Sequence, residues 1–502
     1  MTSGGEATAF DVVIVGGGVA GCVLAARLSE DADRSVCLLE AGPDHGPDPQ
    51  NWPAGLLDAR ALPRDAVWER HVPMHRIRAR VLGGSSCVNG CWNTWGSAAD
   101  HAEWAGLLGP RWSADGMDPF RRRAIAQMQL QPPPDGELSP FAHAATAAAA
   151  DLGFDGVADM GVPGVSRGYG RPLLNAPDGL RWNAALAYLT TQVRARPNLT
   201  VRSGVTAHRL IVRDGRVHGV ELGHEGRSET VTAGVVVLAA GAFGSPALLL
   251  RSGIGPAADL AEVGVEPVLD LPGVGANLSD QPGVFLPLQP TAELNAALAD
   301  RQDAGDLYVS RVLVRAASTA APADGWDLHL LPVAGPPLFG KLPPGEYEAG
   351  ISAYLMKPVS RGRVRLAAAD PDTPLEIDPA PLRDPGGRDL AVMREGLRLV
   401  EELARTPAIT ALTRPVPGPA PTELTDDDLR ARTGFYWHPV GTCAAGPDTD
   451  AAAVVDAQGR VHGIAGLRVA DASVLPTPPA ANTQLPVLAV AEMLADALRR
   501  CS

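Results

Sequence analysis

The chain has 502 residues, 45% of them hydrophobic and 20% charged, which is the composition of a large folded protein and not of a disordered one. Its 57 acidic and 43 basic side chains leave a formal charge of −14, a mean field that disfavours nucleic acid and anionic membrane surfaces as partners. No run of about 18 apolar residues offers a membrane span. The six cysteines (Cys22, Cys37, Cys87, Cys91, Cys443, Cys501) lack the dense spacing of a disulfide scaffold, and no basic and apolar leader precedes the first expected strand, so reduced thiols and a cytoplasmic location are expected.

The first element is a short apolar run, Val12 to Val15, suited to a strand buried on both faces. Gly16, Gly18 and Gly21 follow as GxGxxG, with Val19 and Ala20 between them, and the helical pattern Val23, Leu24, Ala25, Leu28 comes next. Such glycines make a tight turn, let the backbone approach a pyrophosphate, and pack a helix closely on the sheet, with the phosphates at the helix N-terminus. About 20 residues on, "SVCLLEAG" reads as a second strand ending at Glu40, whose carboxylate can accept hydrogen bonds from an adenosine ribose. A lone GxGxxG is weak; between two such strands it implies an ADP-containing dinucleotide, NAD or FAD.

Further along, His71 and His75 have i, i+4 spacing but no accompanying carboxylate motif, so no metal site is expected. "RARVLGGSSCVNGCWNTWG" (Arg78 to Gly96) gathers glycines, hydroxyls and an Asn, which suits backbone lying close to a flat ligand. "PPPDGELSP" is a turn-rich break and "HAATAAAADLGF" a short helix. The segment "HRLIVRDGRVHGVEL" predicts two strands joined by an Asp214-Gly215 hairpin, and "GVVVLAAGAFGSPALLLRSGIG" a strand, a glycine turn and a helix. Signals weaken between about Pro290 and Asp370; "RDLAVMREGLRLVEELART" is then an amphipathic helix, and the chain closes on a Pro-rich loop and an apolar helix. "GFYWHPVGTC" sets three aromatics before His438 in a chain with only 5% aromatic residues, although a His before Pro taken alone reads as a loop or core residue.

Together, "DVVIVGGGVAGCVLAARLSE", "RVLGGSSCVNG", "GAFGSPALLLRSGIGP", "LPGVGANLSDQP", "HPVGTC" and "VVDAQGRVHGIAGLRVADASVLPT" with "NTQLPVLAVAE" resemble the glucose-methanol-choline (GMC) family of flavoprotein oxidoreductases, in family order along nearly the whole chain. The resemblance implies an α/β (α+β overall) architecture: a Rossmann-like FAD-binding domain assembled from residues 1–115, 180–290 and 435–502, and an inserted antiparallel-sheet substrate domain from 116–179 and 291–434. It implies FAD, with contacts at Gly16, Gly18, Val19, Ala20 and Gly21, at Glu40 and Ala41, and at Val81, Gly83, Gly84, Ser85, Ser86, Asn89, Gly90 and Cys91. Further along it adds Val205, Ala240, Gly241, Asp471, Ala472 and Thr483. It makes His438 the base that takes the hydroxyl proton of an alcohol as hydride leaves for the flavin, and Asn482 its partner, donating to the forming alkoxide.

Departures from the family pattern bear on the pocket. Cys91, Asn93 and Trp95 stand where Met, Tyr and Arg are common, and Val88 stands where some choline-oxidising members attach FAD through His, so FAD is expected to be non-covalent. Trp92, Trp95, Tyr436 and Trp437 either wall an aromatic-lined substrate pocket or fill the core between domains. Gln281 and Gln484 also replace residues common in relatives, without a reason visible in the sequence. The expected activity is oxidation of a primary or secondary alcohol, aromatic or moderately apolar, with O2 or another electron acceptor. Lyase, decarboxylation or tailoring chemistry on the same fold, and a redox-silent FAD-binding scaffold, are the alternatives.

Overall fold

The computed structural model describes residues 9–63, 66–68, 78–162, 167–224, 227–337, 342–343 and 345–500; His71, His75 and Cys501 lie outside them. The run that begins at Val12 forms the centre of a sheet. Strand Ala9–Val15 lies parallel to Val36–Leu39 on one side and to the second half of Arg227–Leu238 on the other. The order is Leu199–Arg202, Val36–Leu39, Ala9–Val15, Arg227–Leu238, Arg216–His224, Thr206–Arg213, with Leu467–Val469 also paired to Arg227–Leu238. Val13, Ile14, Cys37 and Leu38 are completely buried, sharing one core with helices Val19–Leu28 and Gln484–Arg500. Continuous apolar strands are what a sheet covered on both faces requires. Asp214 and Gly215, at φ 50° and 68°, turn Thr206–Arg213 into Arg216–His224, the two-residue turn that the Asp-Gly pair predicts.

A second, antiparallel sheet takes most of its strands from the region of weak sequence signal. Pro282–Pro290, Glu348–Leu355, Leu328–Gly335 and Leu313–Ala316 are successive neighbours in it. Side chains alternate between its faces. Leu328, Leu330, Ile351 and Ala353 face helices Pro140–Asp151 and Arg388–Ala404, meeting Phe141, Ala145, Met393 and Leu397. The second helix lies so close that a Cβ added at Gly396 would sit 2.9 Å from Leu328 Cδ2. The opposite face carries Arg315, His329 and Tyr354, which stand in register across three strands.

This packing shifts the boundaries expected from the sequence. Pro282–Pro290 belongs to the second sheet, because its backbone pairs with Glu348–Leu355. Helix Ala114–Gln127 belongs to the first core, where it buries Met117, Phe120 and Ala124. The hairpin Arg363–Arg365 and Glu376–Asp378 also turns to the first unit: Val364 and Ile377 pack on Ala242 and Phe243. No helix among the described residues is long and apolar enough to cross a membrane, and no group of His, Cys, Asp and Glu among them is arranged to hold a metal ion.

Candidate active site

The glycine turn builds the cofactor cradle. Gly16 has φ 101°, and a Cβ there would lie 2.7 Å from the Ala239 carbonyl oxygen; a Cβ on Gly21 would lie 1.8 Å from the Gly16 oxygen, so helix Val19–Leu28 can sit on the turn only without that side chain. Gly18 caps this helix with no side chain of its own, which leaves the first-turn amides to a ligand. The second glycine loop closes on the first: Gly83 N–H donates to the Gly17 oxygen at 2.7 Å, and a Cβ on Gly84 would lie 2.6 Å from Gly18 Cα. Glu40 ends its strand with a buried carboxylate that accepts from Gly17 N (2.8 Å) and Gly42 N (2.7 Å), and burial holds its pKa above the ordinary range. Beside it opens a cleft of about 780 Å³ lined by Ala41, Gly42, His45, Pro53, Arg80 and Gly204. Val205 adjoins the same edge, its N–H bonded to the Glu40 carbonyl.

The other expected contacts divide by what their side chains already hold. Ser85 and Gly90 are exposed and Asn89 is half-buried, so these three line an accessible loop. Ser86 is instead a buried tie, donating to the Gly83 oxygen at 2.6 Å and accepting from Ala184 N at 2.9 Å; the hydroxyl has no capacity to spare for a cofactor phosphate. Val81 is likewise a core side chain. The Asp471 carboxylate takes Gly241 N–H, the Ser245 hydroxyl, and the N–H and hydroxyl of Ser473, so it fixes the loop around Ala240 and Ala472 from within. Cys91 is buried at φ 62°, held by its N–H on Asn89 Oδ1. Gln484 accounts for much of this loop's shape. It accepts from Asn89 Nδ2 (2.5 Å) and donates to Asn93 Oδ1 (3.1 Å) and Asn175 Oδ1 (3.0 Å), beside Thr483 at the start of the closing helix.

His438 is placed by backbone pairing. The segment after Gly434–Phe435 runs antiparallel to the chain that enters strand Pro282–Pro290, with Tyr436 N–H on the Gln281 oxygen and Ser279 and Val440 bonded reciprocally. Trp437 passes through φ 61°, a left-handed conformation rare for a bulky residue, and His438 N–H then donates to Asp280 Oδ1 at 2.9 Å. The ring's Nδ1 lies 2.6 Å from Gln281 Oε1. Gln281 Nε2 donates to the carbonyl oxygens of Pro479 (2.7 Å), Ala481 (3.2 Å) and Met356 (3.4 Å). One carboxamide therefore holds both the imidazole and the residue preceding Asn482.

Asn482 is oriented in the same way. Its backbone N–H donates to the Thr94 hydroxyl (2.9 Å), which donates in turn to Asn482 Oδ1 (3.0 Å), so its amide nitrogen is the end left to donate into the site. Burial first, and the Arg78 guanidinium second, lower the His438 pKa to about 3. Burial raises Asp280 to about 6, partly offset by Arg78.

The expected pocket aromatics separate. Tyr436 lies 4.6 Å from the His438 ring and stacks on Tyr354 at 4.0 Å and 10°, in a cluster with Trp326 and Met356; Trp437 adjoins the same turn. Trp92 packs away from it, on Val157, Met160 and Leu313. Trp95 is a core residue and not a pocket wall: it is fully buried, stacked on His101 at 4.8 Å, with the Arg121 guanidinium 5.8 Å from its ring centroid. Trp326 and Tyr354, which pack with Tyr436, and Thr94, which bonds Asn482, are site residues that no sequence motif singled out.

Residues 10–283 match the N-terminal and 358–491 the C-terminal model of the family described as GMC oxidoreductase. The chain belongs to the GMC oxidoreductase family. Among its GMC relatives, 5-(hydroxymethyl)furfural oxidase of Methylovorus sp. (strain MP688) is 36% identical over 98% of this chain and 99% of its own. Choline oxidase of Arthrobacter globiformis is 32% identical over 98% of this chain and 94% of its own. Among solved GMC structures, pyridoxine 4-oxidase from Mesorbium loti superposes with a TM-score of 0.83 at 30% identity, covering 98% of this chain and 99% of that one.

Proposed function

We propose that this GMC oxidoreductase oxidises a primary alcohol carried on an aromatic or heteroaromatic ring to the aldehyde, with FAD as cofactor and dioxygen as final electron acceptor. The single observation that carries the reading is the Gln281 carboxamide, which orients His438 and tethers the Asn482 loop at once. Bound FAD supplies the hydride acceptor. The glycine turn, the uncapped helix end at Gly18 and the Glu40 carboxylate fit an ADP moiety, and the accessible loop of Ser85, Asn89 and Gly90 fits the flavin end. Val88 offers no nucleophile at the position used for attachment in some members, in keeping with FAD held non-covalently.

Within the site, His438 Nε2 takes the hydroxyl proton of the alcohol, and the Asn482 amide donates to the oxygen as it gains charge. Tyr436, Tyr354 and Trp326 supply aromatic surface for a planar substrate. Relatives that are oxidases of 5-(hydroxymethyl)furfural and of pyridoxine support an aromatic hydroxymethyl group and dioxygen in particular.

The test is anaerobic mixing of the holoenzyme with benzyl alcohol and 5-(hydroxymethyl)furfural, followed by peroxide measurement in air. Wild type should bleach the flavin and form one peroxide per aldehyde. His438→Ala should keep the bound-flavin spectrum and slow bleaching by at least about 10²-fold; bleaching at the wild-type rate would remove His438 from the mechanism.

A further inference from the structure

The face of the antiparallel sheet turned away from its helices carries one row of side chains across three strands: Tyr354, His329 and Arg315. The row begins at the site, since Tyr354 stacks on Tyr436 beside His438. Adjacent strands lie about 4.8 Å apart, so Arg315 stands roughly 10 Å along the row from Tyr354. His329 continues the contact, meeting Tyr436 edge-on with ring centroids 6.2 Å apart.

Both far members of the row are completely buried and hold unspent hydrogen-bonding capacity. Neither ring nitrogen of His329 has a hydrogen-bond partner among the described residues, although the Ala480 backbone lies close enough to favour the protonated ring. Arg315 donates from Nη2 to the carbonyl oxygens of Met160 (2.6 Å) and Trp95 (3.3 Å) and lies 4.3 Å from the centroid of the Trp326 ring. Its Nε and Nη1 have no hydrogen-bond partner among the described residues. The carboxylates whose charge reaches it are Asp159 first and Asp100 second, but among the described residues neither bonds it: Asp159 accepts from Gly161 N–H at 2.7 Å and Asp100 is committed to Lys357 at 2.9 Å. A guanidinium buried with no carboxylate bonded to it is costly, and packing alone would be met by an apolar side chain of similar length. An anion arriving from outside the protein would repay that cost.

We propose that Arg315, with His329, binds a carboxylate on the alcohol substrate, at the end of the molecule remote from the hydroxyl group that His438 addresses. This deepens the functional reading above and rests on it for the alcohol end. Trp326, Tyr354 and Tyr436 lie between the two ends, so the substrate class is an aromatic or heteroaromatic acid bearing a hydroxymethyl group. Arg315 supplies charge-assisted donors for which a neutral ring substituent is a poor match.

The experiment compares 4-(hydroxymethyl)benzoate with its methyl ester as substrates of the FAD-loaded enzyme. Wild type should favour the acid by at least about tenfold in kcat/KM, chiefly through KM, because a site built for a polar group penalises its absence. Arg315→Met should bring that ratio towards one, and Arg315→Lys should restore part of it. Equal kcat/KM for acid and ester in the wild type, or an unchanged ratio in Arg315→Met, overturns the proposal. Benzoate titrated against the oxidised holoenzyme, read by flavin absorbance, tests binding without turnover. It should saturate, with a Kd at least about tenfold weaker in Arg315→Lys, and a Kd insensitive to that change also overturns the proposal. If benzoate binds through Arg315 while no alcohol bleaches the flavin, the carboxylate site stands and alcohol oxidation falls; if alcohols bleach it with no preference for acids, the reverse holds.

Discussion

His438 Nδ1 lies 2.6 Å from Gln281 Oε1, and that contact settles which ring nitrogen carries the proton. Turning the Gln281 amide over would point its oxygen at the carbonyls of Pro479, Ala481 and Met356, so the nitrogen has to face them and the oxygen has to face the ring. An oxygen can only accept, so Nδ1 is the N–H and Nε2 keeps the lone pair. A carboxylate would fix the same tautomer but would also raise the imidazole's affinity for a proton; an uncharged amide orients it without doing so.

Gln281 is therefore a positioning residue with a distinctive signature. Gln281→Leu should lower the rate of anaerobic flavin bleaching by about 10- to 100-fold, at or below the lower end of the general-base contribution because the base itself remains, with KM changed less than kcat. Gln281→Glu should add an acidic fall-off to the rate between pH 5 and 7, because the new charge stabilises imidazolium. A merely loosened loop would not create that limb. A Gln281→Glu profile parallel to wild type would discard the positioning role.

The pH profile follows from the same site. A base works when unprotonated, and burial with Arg78 lowers His438 from its usual value near 6.5 to about 3. The neutral ring then predominates throughout pH 5 to 8. The group of this site that titrates in that window is Asp280, held at about 6 and bonded to the His438 N–H. In Asp280→Asn the bleaching rate at saturating alcohol should therefore stay level across it. Stopped-flow rates of Asp280→Asn that halve near pH 6.5 would show an imidazole of ordinary basicity.

How far the site could be read in advance depended on where each residue's partners lie. The GxGxxG turn, the strand ending at Glu40, the Asp214-Gly215 hairpin and helix Arg388–Ala404 are set by neighbours in sequence, and their patterns are plain. Strands Leu313–Ala316, Leu328–Gly335 and Glu348–Leu355 were illegible because nearly all their residues are buried on both faces, so polar residues give no alternation, and Pro332 and Gly350 interrupt the apolar runs. Gln281 stood inside a quoted motif, but its purpose required knowing that His438, 157 positions away along the chain, and the carbonyls of Pro479 and Ala481 share its carboxamide. Trp95 stayed open between pocket wall and core because a tryptophan near a cofactor loop reads alike whether it faces a ligand or His101.

Glu40 offers a test of the cradle that does not depend on turnover. Its two oxygens hold Gly17 N–H and Gly42 N–H, so the carboxylate shapes both loops beside the cleft. Glu40→Ala leaves those amides to water or to nothing, at about 1–3 kcal/mol each where they stay buried. The variant should purify with a lower ratio of flavin absorbance to protein absorbance than wild type, and added FAD should raise its melting temperature by less. Full flavin occupancy at stoichiometric FAD would place the ribose elsewhere.

His101 gives a stability prediction with a definite sign. Its ring stacks on Trp95 and meets Trp104 edge-on at 5.2 Å; neither nitrogen has a hydrogen-bond partner among the described residues, and burial lowers its pKa to about 4. Between that value and 6.5 the unfolded chain binds a proton that the folded protein refuses, so stability drains away as pH falls through this window. The loss amounts to about 2 kcal/mol by pH 5. His101→Phe keeps an aromatic ring between the tryptophans and removes the titrating group, while the other histidines continue to act equally in both proteins. The melting temperature of the variant relative to wild type should therefore rise steadily from pH 7.5 to pH 5, whatever its offset at neutral pH. An offset that stays constant with pH would mean that His101 titrates alike in the folded and unfolded chains.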